Sequence, residues 1–219
     1  MWISKVFTTI TILLLLAVVI VFSPFLIQEL SYYFKKANPK DYRLVENYQM
    51  EPEEIRQETL ELAPPNLVTP VSYDFSLVVP KVDINSRVTK FVDLYDRDEF
   101  HLVLTKGVAH ARGSGLPVDS EPVFIFAHPL EGYLDFIFVN NQFYMLRKLE
   151  VGDLIYVFYY KKQYIYEVEE KRIVDPEEVK EEIDNLQGKK LVIMTYYPPG
   201  TMMSRMLIIG QLQSDYRYN

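Results

Sequence analysis

The residues best placed to do chemistry lie near the C-terminus, in the stretch Leu191–Ile209, LVIMTYYPPGTMMSRMLII. Two apolar runs, Leu191–Met194 and Met206–Ile209, read as buried strands. Pro198, Pro199 and Gly200 between them force a turn, because proline has no N–H to give a ladder. The two strands bring a phenol, Tyr196, and one fixed guanidinium, Arg205, to their shared end. A guanidinium can stabilise charge that develops on a substrate oxygen. A phenol is a poor nucleophile: its ordinary pKa is about 10, against about 8.5 for a thiol. A third group, His128, follows the apolar run Val123–Ala127 (VFIFA), which reads as a strand buried on both faces. An imidazole there can move a proton near neutral pH, although a lone histidine at a strand end is more often a polar rim residue. Ser204, beside Arg205, reads as a turn residue, and Met202 and Met203 pack under the turn or line a groove.

Composition removes several alternatives. The chain has no cysteine, so disulfides, thiolate metal sites and thiol catalysis are excluded together. His101, His110 and His128 lack tight ligand spacing, so neither a metal nor another cofactor is expected. The net charge of −7 argues against nucleic acid, whose phosphates need a basic face.

The elements that must position these groups begin at about Val71. Phe75, Leu77 and Val79 alternate before Pro80, a strand signature. Asp93–Glu99 is loop-like. Residues 137–149 carry Phe138, Phe143, Leu146 and Leu149 and lead into a turn at Glu150–Asp153. Leu154–Tyr160 and Tyr164–Val168 read as a hairpin around Lys161, Lys162 and Gln163. Asp175-Pro176-Glu177-Glu178 is a helix start with an N-cap acid, proline at N1 and a glutamate at N3. The stripe Val179, Ile183, Leu186 follows, and Gly188 ends it. The acids of this helix read as a solvated face in preference to a cation site. Seven or eight short strands with two short helices predict a mainly β, closed, antiparallel-rich barrel over residues 71–219.

The N-terminal third differs. After a short tail, residues 1–5, Val6–Ile27 runs 22 residues without a charge. At 1.5 Å per residue that spans a hydrocarbon core of roughly 30 Å. No small-x-small cleavage site follows, so a retained transmembrane anchor is expected in place of a signal peptide. Residues 28–70 read as an acidic stalk or linker, with Tyr32 and Tyr33 at headgroup level.

Four stretches together resemble the sortases, the bacterial cysteine transpeptidases that join surface proteins to the cell wall or to each other. The frame T-Y-Y-P-P-G-T-M-M-S-R places Thr195, Tyr197, Pro198, Pro199, Gly200, Thr201 and Arg205 where that family has them. Gly107, Val108, His110 and Gly113 match its Gly-Val-x-His stretch and the loop that follows. The strand ending at His128 carries Ala127 where a glycine is usual. Phe143-x-x-Leu146 precedes Leu149-x-x-Gly152-Asp153. The likeness covers roughly residues 71–212. It implies a sortase-like closed β-barrel behind an N-terminal transmembrane helix, in a single-pass protein of the cell membrane with its C-terminal domain extracytoplasmic. Lys35, Lys36 and Lys40 after the apolar run, against Lys5 before it, would by charge alone favour the opposite orientation.

By position the resemblance makes His128 the acid/base and Arg205 the electrophilic clamp. It puts His110, Thr195 and Tyr197 at the substrate groove. Tyr196 stands at the position of the nucleophilic cysteine, and its ring fills space that a substrate carbonyl needs. Whether the chain is an enzyme therefore stays open. One reading is a sortase-fold protein without transpeptidase activity that binds a sorting-signal peptide or a surface-assembly partner. A second is an acyl transferase or hydrolase of altered mechanism, using Tyr196 or water with His128 and Arg205. A third is a structural surface domain.

Overall fold

Among the described residues, eight strands pair into a sheet whose side chains alternate between an inner and an outer face. The computed structural model describes residues 2–37, 68–93, 96, 103, 107–126, 141–198, 201 and 203–217. The strands are β1 (Phe75–Val79), β2 (Ile84–Val92), β3 (Val108–Ala111), β4 (Val123–Phe126), β5 (Leu154–Tyr159), β6 (Lys162–Val174), β7 (Lys190–Tyr197) and β8 (Ser204–Arg217). They form a closed barrel in the order β1-β2-β3-β4-β7-β8-β6-β5, with β5 pairing back to β1. The β2–β3 and β4–β7 pairs are parallel and the others antiparallel.

A parallel pair needs a long crossover. Between β4 and β7 that crossover carries a 3-10 helix, Asn141–Lys148, the β5–β6 hairpin and a short helix α2 (Val179–Asp184). The expected mainly β barrel is what forms.

One face of each strand fills the barrel. Phe75, Leu77, Val88, Val108, Ile125, Val157, Tyr166, Leu191, Ile193 and Ile208 belong to this inner cluster. The 3-10 helix adds Phe143, Met145 and Leu146, followed by Leu149. The other face is also buried on part of the barrel. Ala109, Ala111, Phe124, Phe126, Val192, Met194, Leu207 and Ile209 form an outer cluster, covered by Val174, Val179, Ile183 and Leu186. Full burial of each aliphatic side chain contributes roughly 1.5–3 kcal/mol, and β4 and the Leu191–Met194 stretch of β7 are apolar throughout because both their faces are covered.

Local differences from the sequence reading have physical causes. The hairpin turn is tighter than expected, with Tyr160 and Lys161 alone between the strands, at φ 45° and 59°. Their amides donate to Asp74 O and Tyr73 O, which holds this left-handed pair without the usual glycine. The predicted helix at 175–188 is α2, shorter than its sequence signals. Its start keeps half of the capping box, with Asp175 N–H donating to Glu178 Oε2 at 3.3 Å. Arg172 ties β6 to it through Glu182 and also pairs with Glu170.

The N-terminal helix α1 runs Trp2–Ala37, 36 residues, beyond the end of the charge-free run. Among residues with described side chains, whose longest unbroken run in α1 is 5–20, no stretch is long and apolar enough to cross a membrane. Residues 38–67 of the expected stalk lie outside the described residues.

Candidate functional site

Tyr196 and Arg205 are direct cross-strand partners at the ends of β7 and β8. Such partners share a face. It is the outer face, because Val192 and Met194 precede Tyr196 there and Leu207 and Ile209 follow Arg205. The Arg205 guanidinium carbon lies 3.7 Å from the centroid of the Tyr196 ring, a cation–π stack. Both side chains are half-buried. The Arg205 side chain also donates through Nη1 to Ser204 O at 3.3 Å. The parallel β4–β7 register sets Phe124 beside Val192 and Phe126 beside Met194. The surface leading to the stack is therefore aromatic and aliphatic, and Val179 and Ile183 of α2, with Leu186 just beyond it, cover it. His128 and His101 lie outside the described residues, as do Pro199, Gly200 and Met202.

The remaining groove candidates are not brought to this face. Thr195 is buried and Tyr197 packs against the inner cluster. Both alternate with Tyr196, so they point to the other side of β7. His110 likewise alternates with Ala109 and Ala111 of the outer cluster and is fully buried. Its ring sits 5.7 Å from Phe75 and 5.5 Å from Phe91.

His110 has a neighbour that the sequence reading passed over. Ser114 Oγ lies 3.0 Å from His110 Nε2, a distance that suits a hydroxyl nucleophile and its base. The surrounding bonds forbid that role. Phe91 N–H donates to Nδ1 at 3.4 Å, which puts the ring proton on Nε2, and Nε2 is 2.9 Å from its acceptor Gly115 O. Ser114 already donates to Ala111 O at 3.0 Å and accepts from Phe124 N–H. Burial also depresses the His110 pKa, against the smaller opposing effects of the Gly115 bond and the Asp119 charge. The imidazole is thus a neutral strut joining β2, β3 and the Gly113–Leu116 loop. The signal for Ser114 was its i+4 spacing from His110 in a glycine-containing loop.

No group of three or more His, Asp or Glu able to hold a metal ion occurs among the described residues. Among the described residues, the outer-face site thus brings a half-buried guanidinium and phenol together at the edge of an apolar cluster that is itself buried. A guanidinium there can hold a carbonyl or carboxylate oxygen. A phenol packed under a guanidinium cannot easily reach a carbonyl.

A family model described as a sortase domain matches residues 77–213. No curated protein matches the sequence. Among solved structures, sortase C1 of Streptococcus agalactiae is similar at 21% identity and a TM-score of 0.53. The match covers 64% of this chain and 66% of that one, so this chain spans just under two thirds of that protein's length. Sortase C of Clostridium perfringens, solved with a C-terminal cell wall sorting motif, is similar at 24% identity and a TM-score of 0.52, covering 64% of this chain and 69% of that one. Sortase C-1 of Actinomyces oris is 20% identical with a TM-score of 0.55, over 85% of this chain and 96% of that one. These likenesses show the fold. Because the matched family model covers more than half of a chain whose eight strands close into the same kind of barrel, this cysteine-free chain belongs to the sortase family.

Proposed function

We propose that this chain is a membrane-anchored sortase-family protein that binds sorting-signal-like peptides, or the surface protein carrying one, without transferring an acyl group. The observation that carries the proposal is the Tyr196–Arg205 stack. It fills the nucleophile position with a weakly acidic, sterically occupied phenol while keeping a half-buried guanidinium beside it. The structure of the Clostridium perfringens sortase C with the C-terminal cell wall sorting motif supports a peptide of that class.

In this reading Arg205 holds a backbone or terminal oxygen of the peptide, the half-buried Tyr196 ring lies beside it, and His128 takes the position of the family's acid/base. The charge-free run Val6–Ile27 on the continuous helix α1 supports a single-pass anchor in the cell membrane, with the barrel extracytoplasmic.

The test is titration calorimetry of sorting-motif peptides against the full chain in detergent micelles. Arg205→Ala removes a charge-assisted bond of about 1.5–3 kcal/mol, so affinity should fall roughly 10–100-fold. An unaltered affinity would contradict the groove reading and favour a structural surface domain.

A further inference from the structure

Helix α1 carries a single carboxylate, Glu29, two residues beyond the end of the charge-free run. It does not face solvent. Tyr144 Oη donates to Glu29 Oε1 at 2.5 Å, Arg147 Nη2 donates to the same oxygen, and Lys148 Nζ donates to Oε2 at 2.9 Å. All three partners lie on the 3-10 helix Asn141–Lys148. Less than a turn further along α1, Tyr32 is buried in the barrel's inner cluster. Lys148 Nζ stands 5.2 Å from the Tyr32 ring and 5.1 Å from the Tyr33 ring.

The receiving element is itself fixed. Phe143, Met145 and Leu146 enter the inner cluster, and Lys171 of β6 donates to Arg147 O and Leu149 O at 3.0 and 2.7 Å. Charge, ring and backbone contacts thus run unbroken from α1 to the barrel wall. Burial alone would raise the Glu29 pKa. The hydrogen bonds from Tyr144 and Lys148 and the charges of Arg147 and Lys148 outweigh it and hold the carboxyl below its ordinary value. The carboxylate stays ionised where an unpaired one would be costly.

We propose that Glu29, Tyr32 and Tyr33 on α1 and Tyr144, Arg147 and Lys148 on the 3-10 helix form a clamp that makes helix and barrel one rigid body. The clamp, and not the length of segment 38–67, sets the height and tilt of the outer-face site over the bilayer. This rests on the reading of α1 as a membrane anchor. Its consequence is a site that reaches only peptides presented at one fixed distance from the membrane surface.

The absence of native cysteine makes the test clean. Ile20→Cys and Val118→Cys, both at exposed positions, take spin labels in the full chain in lipid nanodiscs, and pulsed electron resonance reads the distance distribution. The unaltered clamp should give one narrow peak. Glu29→Arg should replace it with a broad distribution, and the triple reversal Glu29→Arg, Arg147→Glu, Lys148→Glu should restore it. A broad distribution with the clamp intact overturns the proposal. So does a narrow one in Glu29→Arg alone, or a reversal that stays broad. Co-elution with lipid reports separately on the anchor. A chain that fails to co-elute contradicts the anchor reading, and the distances, taken then in detergent, still decide the clamp.

Discussion

At the scale of single residues, two polar side chains one strand face apart have different duties. Arg205 lies on the outer face over Tyr196, whereas His110 is locked inside the barrel. The family resemblance made Arg205 the electrophilic clamp and put His110 at the groove, since the strand Val108–Ala111 alternates but does not announce which side is inward when both sides are covered. His110→Gln should cost about 1–3 kcal/mol, because it disturbs buried partners at Phe91 N–H and Gly115 O. The pH dependence follows from the depressed His110 pKa. The unfolded chain binds a proton below about 6.5 and the folded chain resists it. The histidine's stabilising contribution is therefore complete above that value and is lost as pH falls toward the folded pKa. Melting temperatures recorded between pH 7.5 and 5.5 should decline less steeply in His110→Gln than in the unaltered protein. Parallel slopes would mean that the imidazole is not held neutral.

At the scale of elements, the parallel β2–β3 pair depends on a glycine. A Cβ on Gly107 would sit 2.5 Å from Arg87 O, a backbone atom that cannot swing aside. Gly107→Ala should lower stability by on the order of 1–3 kcal/mol, read as a shifted midpoint in urea denaturation. An unmoved midpoint would show that the two strands part freely. Much at this scale was legible. The stripe Val179, Ile183, Leu186 does cover the outer cluster, and the turn at Glu150–Asp153 is held by Asp153 Oδ2, which accepts from Glu150 N–H and from Lys81. The Tyr160–Lys161 turn was not legible. Neither residue favours a left-handed backbone, and the bonds that hold them come from Tyr73 and Asp74, far away in sequence. The extent of β6 to Val174 was equally hidden, because its polar second half is set by pairing with β8.

At the scale of the whole molecule, the barrel and its family were legible because four motifs fall in order along one domain, and residues 77–213 bear that out. The mounting of the barrel was not. Glu29 read as the start of a solvated linker, and its partners lie 115 and more residues away. As proposed above, this assembly keeps a sortase groove but lacks a working nucleophile. The most direct measurement incubates the full chain, unaltered and with Tyr196→Cys, with sorting-motif peptides and an amine acceptor, and reads cleavage and ligation by mass spectrometry. Products are expected from the Tyr196→Cys chain and none from the unaltered chain. Turnover by the unaltered chain would contradict the proposal and make Tyr196, or a water in its place, the working nucleophile.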